Sequence, residues 1–171
     1  MGRPGLILGE RLILVDGPAG AGKTTFATGL AAGLGAPVVH LDDLYLGWSW
    51  LEGAFERLVE LVLAPWRAGR EARFRAYDWA AGGPGGPWVA VPPGGRLVVE
   101  GCGCAPAAAE AFSPLIIWLD GPPALRLAAA LERDGAWEAP HLAAWEAATR
   151  AHFERERTEE RAHIRLIRGP A

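Results

Sequence analysis

Lysine is nearly absent from this chain: one lysine stands against sixteen arginines in 171 residues. Arginine fills the other cationic positions. The one site that keeps lysine, Lys23, is therefore a place where a compact ammonium acts differently from a planar guanidinium. Cysteine is scarce too, and Cys102 and Cys104 lie one residue apart. That spacing places them poorly for an ordinary disulfide, and two thiols alone make no structural zinc site. Both read as small residues packed after a strand. A surplus of positive charge is also missing. The formal net charge is -3 and the pI is about 5.8, which leaves no electrostatic footprint for nucleic acid or an anionic membrane. No apolar run approaches the roughly 20 residues of a membrane span. Residues 1–10, short and broken by Gly and Pro, do not read as a signal peptide. The expected setting is cytoplasmic, with neither nucleic acid nor membrane as partner.

What is present is strand and helix patterning enough for one domain, residues 1–171, with a sizeable core. Short apolar runs predict buried strands at 12–15, 37–41, 96–100, 115–119 and 164–167. Helical spacing predicts helices over 23–34, 51–66, 122–133 and 141–161. Residues 73–79 alternate and read as a short edge strand. Residues 80–95, dense in Gly and Pro, read as a loop. His152 and the Glu/Arg run to Arg161 read as a solvated helix face. Strands alternating with helices predict an α/β fold: a parallel sheet covered on both faces by helices, a three-layer sandwich.

The chemistry starts at Gly17-Pro18-Ala19-Gly20-Ala21-Gly22-Lys23-Thr24, which matches G-x-x-x-x-G-K-[ST] in full. Glycines let such a loop turn successive backbone N–H groups onto phosphate oxygens, and the following helix adds its positive end. The run from Gly17 to Thr25 is thus the expected ATP-phosphate grip. Lys23 is expected to reach the β- and γ-phosphates, and the Thr24 hydroxyl to be a magnesium ligand. A second magnesium-shell acid is expected at the end of another buried strand. Glu100 and Asp120 both qualify. Glu100 is favoured, because Gly121-Pro122-Pro123 after Asp120 suggests a turn into a helix. Asp16 reads either as a turn residue or as a neighbour of the metal.

The segment Asp42-Asp43-Leu44-Tyr45 places two carboxylates at the end of the second strand. In a doubly wound sheet that edge forms the ligand crevice. A carboxylate there can take the proton of an attacking hydroxyl. In the same order follow Tyr77-Asp78-Trp79, then Val98-Val99-Glu100-Gly101, then the run from Arg126 to Asp134. Together with the glycine-rich loop, these segments resemble the uridine kinase and phosphoribulokinase group of small P-loop kinases, from Gly17 to Asp134.

The resemblance implies a P-loop NTPase sandwich with a five-stranded parallel sheet in the order 2-3-1-4-5, and a small helical lid near residues 122–161. It implies Lys23, Asp42, Arg126 and Arg133 as catalytic, with Asp42 as base and the arginines neutralising the transferring phosphoryl group. It implies Tyr45, Tyr77 and Asp78 beside Asp42 and Glu100 at the acceptor, and Thr24 with Glu100 at magnesium. Two departures stand out. Ala129 and Ala130 replace paired lid arginines, and Arg150, Arg155 or Arg157 could supply that charge. The histidine expected after Tyr77-Asp78-Trp79 is absent.

The expected activity is ATP-dependent transfer of a phosphoryl group to a hydroxyl of a nucleoside or nucleotide. A non-nucleoside alcohol (a sugar, a vitamin or a small acid) and a non-catalytic ATP-binding module are the alternatives. An acidic acceptor would want a free arginine, for which Arg73 and Arg75 are candidates. Trp48 and Trp79 are candidates either to stack on an acceptor or to pack the crevice walls. Trp66, Trp118 and Trp145 are expected in the core. A homodimer is left open.

Overall fold

The computed structural model describes residues 11–135 and 139–169; the leader reading of residues 1–10 lies outside them. Strand β1 (Leu12–Asp16) is buried along its whole length and divides the core. Leu12 and Leu14 point into one apolar cluster, while Ile13 and Val15 point into another against helix α1 (Lys23–Leu34). This is the alternation of a strand covered on both faces.

Strand β2 (Val38–His40) follows, then a 3-10 turn (Leu41–Asp43). Helix α2 (Ala54–Leu58) runs through a π-helical turn (Val59–Leu63) into α3 (Ala64–Arg67). Pro65 has no N–H to bond the preceding turn, which accounts for the widened ladder just before it. Strands β3 (Ala72–Asp78) and β4 (Gly83–Val91) form a separate antiparallel hairpin. Next come β5 (Leu97–Glu100) and a 3-10 segment (Ala107–Phe112). Then come β6 (Leu115–Asp120), α4 (Pro123–Asp134), α5 (Ala139–Glu156), α6 (Thr158–Arg161) and β7 (Ile164–Ile167).

The main sheet has five parallel strands in the order β2-β5-β1-β6-β7. Counted along the chain without the hairpin, that order is 2-3-1-4-5, as expected. The register places Val15 beside Glu100 and His40 beside Glu100. The glycine-rich loop, Glu100 and the Asp42 turn therefore meet at one edge.

Three expectations need correction. Most of residues 80–95 is strand, not loop. Ala72, Phe74 and Ala76 of β3 are buried and anchor the ribbon, and in a two-stranded ribbon an outer edge tolerates Pro84 and Pro87. The helix expected over 141–161 breaks at Arg157, which takes a left-handed φ of 52°. His152 is buried, at 4 % exposure, so its side of the helix faces protein. Glu52 and Arg155 both contact its Nδ1.

Candidate active site

The glycine-rich loop is fixed from below by Asp16. Its fully buried carboxylate accepts N–H bonds from Gly17 at 2.7 Å, Gly103 at 2.8 Å and Ala105 at 2.9 Å. Burial raises its pKa, against the pull of these three bonds. Asp16 thus ties the start of the loop to the chain leaving β5, and the turn role fits it rather than a place beside a metal. Two glycines are needed sterically. A Cβ on Gly17 (φ 144°) would lie 1.9 Å from the Leu119 carbonyl oxygen, and one on Gly20 (φ 74°) 1.9 Å from that of Arg126. Side chains there would push the loop off β6 and α4.

Lys23 opens α1 and is buried. Its Nζ donates to the Pro18 carbonyl at 2.9 Å and lies 3.4 Å from Cys102 Sγ. Burial works against its charge, but Cys102, Glu100, Asp16 and Asp42 outweigh burial and raise its pKa. It remains an ammonium. Both cysteines are buried free thiols, and Cys102 borders the cleft as well as packing after β5.

Thr24 Oγ1 donates to Glu100 Oε1 at 3.0 Å. Glu100 therefore stands at the loop, whereas Asp120 accepts the Gly121 N–H at 2.7 Å and pairs with Arg126 at 3.0 Å. His40 Nδ1 bonds the same Glu100 oxygen at 2.7 Å, and that bond raises the His40 pKa. His40 had no assigned role. Only the parallel register of β2 on β5 brings it to Glu100.

Among the described residues no group of three or more His, Cys, Asp or Glu could enclose a metal. Thr24 and Glu100 are two hard oxygen donors side by side. That set fits magnesium in the form in which phosphates and water complete the shell.

Asp42 and Asp43 sit on the 3-10 turn after β2. They line a cleft of about 830 Å³ together with Lys23, Thr24, Glu100 and Arg133. The protein crowding Asp42, and the Glu100 carboxylate, raise its pKa, while Lys23 and Arg133 pull it down.

No family model and no curated protein matches the chain. Solved structures do. A "Possible Uridine Kinase" from Bacillus stearothermophilus aligns over 92 % of this chain and 89 % of its own, with TM-score 0.64 and 17 % identity. A "putative fructose transport system kinase" from Silicibacter sp. TM1040 aligns over 96 % and 91 %, with TM-score 0.64 and 21 % identity. An uncharacterized protein from Eubacterium ventriosum aligns over 94 % and 89 %, with TM-score 0.55 and 14 % identity. The fold is that of the uridine kinase-like P-loop kinases.

On this P-loop kinase fold, one wall of the cleft is aromatic. Tyr45, Trp48, Trp79 and Trp145 all line it. Ring centroids lie 5.0 Å apart for Tyr45–Trp145, 5.3 Å for Trp48–Trp79 and 5.8 Å for Trp48–Trp145, each edge to face. His141 stacks on Trp48 at 5.5 Å. Trp145 is core, as expected, and cleft wall as well; Trp66 and Trp118 are buried. Tyr77 packs on Trp79 at 5.0 Å, behind the wall. The Asp78 carboxylate accepts the Ala81 N–H at 2.9 Å and caps the hairpin turn.

The arginines divide sharply. Arg133 borders the cleft, held by Asp134 through bonds of 2.6 and 2.7 Å. Arg126 points elsewhere: it is buried, grips Glu146 at 2.9 and 3.1 Å, and donates to the Ala19 carbonyl at 3.3 Å. It fastens the loop to α5. Arg155 pairs with Glu52 and Glu156, and Arg157 with Glu160. Arg150 borders a second, smaller cavity beside Arg126 and Glu146. None of these three lines the main cleft. Arg73 and Arg75 lie over Trp88 on the hairpin's exposed face.

Proposed function

We propose that the protein is an ATP-dependent small-molecule kinase that transfers the γ-phosphoryl group to a hydroxyl. The observation that carries this reading is the convergence of Lys23, Thr24 and Glu100 with Asp42 across one cleft. The loop's backbone N–H groups and Lys23 hold the β- and γ-phosphates. Thr24 and Glu100 hold magnesium, which supplies positive charge to the phosphate oxygens. Asp42 accepts the acceptor's proton. The acceptor oxygen bonds to the γ-phosphorus as the bond to the β–γ bridging oxygen breaks, and ADP leaves. Arg133, on the lid helix α4, meets the equatorial charge once Asp134 releases it. A nucleoside and a non-nucleoside alcohol both offer the required hydroxyl. Arg126 acts here as a positioning residue for the loop.

The test is ADP release with ATP and magnesium against nucleosides, nucleotides and simple alcohols, with Asp42→Asn as the comparison. An acceptor-dependent rate that this substitution abolishes supports the reading. ATP binding without transfer to any acceptor would instead favour a nucleotide-binding module.

A further inference from the structure

Resting on that kinase reading, we infer that the acceptor is an uncharged alcohol that carries a flat apolar ring and no phosphate. The first ground is the chemistry of the aromatic wall. Two of its polar atoms are already used within the protein. The Tyr45 hydroxyl donates to the Cys102 carbonyl at 2.6 Å. The Trp79 indole N–H donates to the Asp42 carbonyl at 3.1 Å. What these two residues turn to the cleft is ring carbon. Such a surface recognises a flat apolar face.

The second ground is charge. Asp42 and Asp43 stand at the acceptor end, with Asp134 and Glu100 close by. Three of the four cations on the described cleft lining already have partners. Lys23 sits on the glycine-rich loop, His40 on Glu100 and Arg133 on Asp134. Arg168 follows β7, at the sheet edge opposite β2 and the Asp42 turn. Arg73 and Arg75, which could have received an acidic acceptor, are on the outer face of the hairpin. Arg75 also bonds the Gly85 and Gly86 carbonyls. A phosphate placed at this end would meet carboxylates in a partly enclosed site, where such repulsion is poorly screened. Recognition of phosphate normally enlists a free arginine fork.

The experiment uses the full chain and matched pairs of probes. One pair is a phenyl-bearing diol and its ring-less parent diol. The other is the phenyl-bearing diol and its phosphate monoester. Uridine and uridine 5′-monophosphate form a third comparison. Binding is read by tryptophan fluorescence without ATP, and transfer by ADP release with it. The expected result is that the phenyl-bearing diol binds at least about tenfold more tightly than either partner. Uridine should also bind more tightly than its monophosphate. Trp48→Ala should raise the KM of the phenyl-bearing acceptor about tenfold, with kcat and ATP affinity little changed. Trp48→Leu, which keeps apolar volume, should do the same if the alanine variant folds poorly. Equal or tighter binding of either phosphate ester, preference for the ring-less diol, or no quenching by any ring-bearing alcohol at millimolar concentration would each overturn the inference. Quenching that follows the expected order without ADP release would support it and count against the kinase reading. Transfer to a phosphorylated acceptor would do the opposite.

Discussion

Trp79 donates its indole N–H to the main-chain carbonyl of Asp42 at 3.1 Å, so the tip of the hairpin is fastened to the backbone of the proposed base. The contact joins two segments 37 residues apart in the chain. Trp79→Phe keeps a ring in the wall and removes the donor. One hydrogen bond is worth about 1 kcal/mol net, so kcat/KM for phosphoryl transfer should fall about fivefold. Unchanged kinetics would show that the Asp42 turn holds its place without the hairpin.

Thr24 and Glu100 share one hydrogen bond at the mouth of the loop. Glu100→Gln keeps the shape and removes a charge from the proposed magnesium shell. The magnesium concentration giving half-maximal rate should rise at least about tenfold. Asp120→Asn should leave that concentration alone, because Asp120 faces Gly121 and Arg126. Titrating magnesium at saturating ATP in both variants separates the two acids.

The acid limb of the rate profile should report Asp42. Its pKa is raised by its protein surroundings and by Glu100, and only the deprotonated carboxylate can take a proton. Activity should therefore be lost on acidification at a pH above the ordinary aspartate value of about 3.9. Asp42→Asn should lower the rate about 100-fold or more at every pH and remove that limb. A limb that persists in Asp42→Asn would belong to another group.

Stability should depend on Asp16 more than its distance from the acceptor suggests. Asp16→Ala leaves three buried N–H groups without an acceptor. The expected loss is about 3 kcal/mol or more, read as a lower midpoint in urea unfolding. The raised pKa fixes a sign as well. An acid whose folded pKa lies above its unfolded value destabilises the fold above that folded pKa. It ceases to do so as pH falls toward the unfolded value. Asp16 alone thus makes acidification stabilising across that window. Comparing the pH dependence of unfolding in wild type and Asp16→Asn isolates this contribution.

Much of the frame was legible because it is written locally. Gly17 to Thr24 is a contiguous motif whose glycines answer to backbone conformation, and Gly17 and Gly20 have no room for a Cβ. The five core strands are apolar runs that a two-sided sheet requires. The hairpin was hidden because Gly and Pro carry turn signals, while what stabilises β4 is its pairing with β3 and the burial of β3's inner face. Tyr45 and Trp145 read as motif and core, and nothing in their spacing shows that they share a wall.

The sequence by itself determined the glycine-rich loop, the parallel sheet and the acids at its edge, since these follow from local patterns of glycine, apolar residues and charge. The tertiary structure alone decided which partner each polar group took. Strand register brought His40 to Glu100. Long-range packing turned Arg126 onto Glu146 and away from the cleft. A hydrogen bond or an ion pair depends on distances of a few ångströms between residues remote in sequence, and only the folded chain fixes those distances.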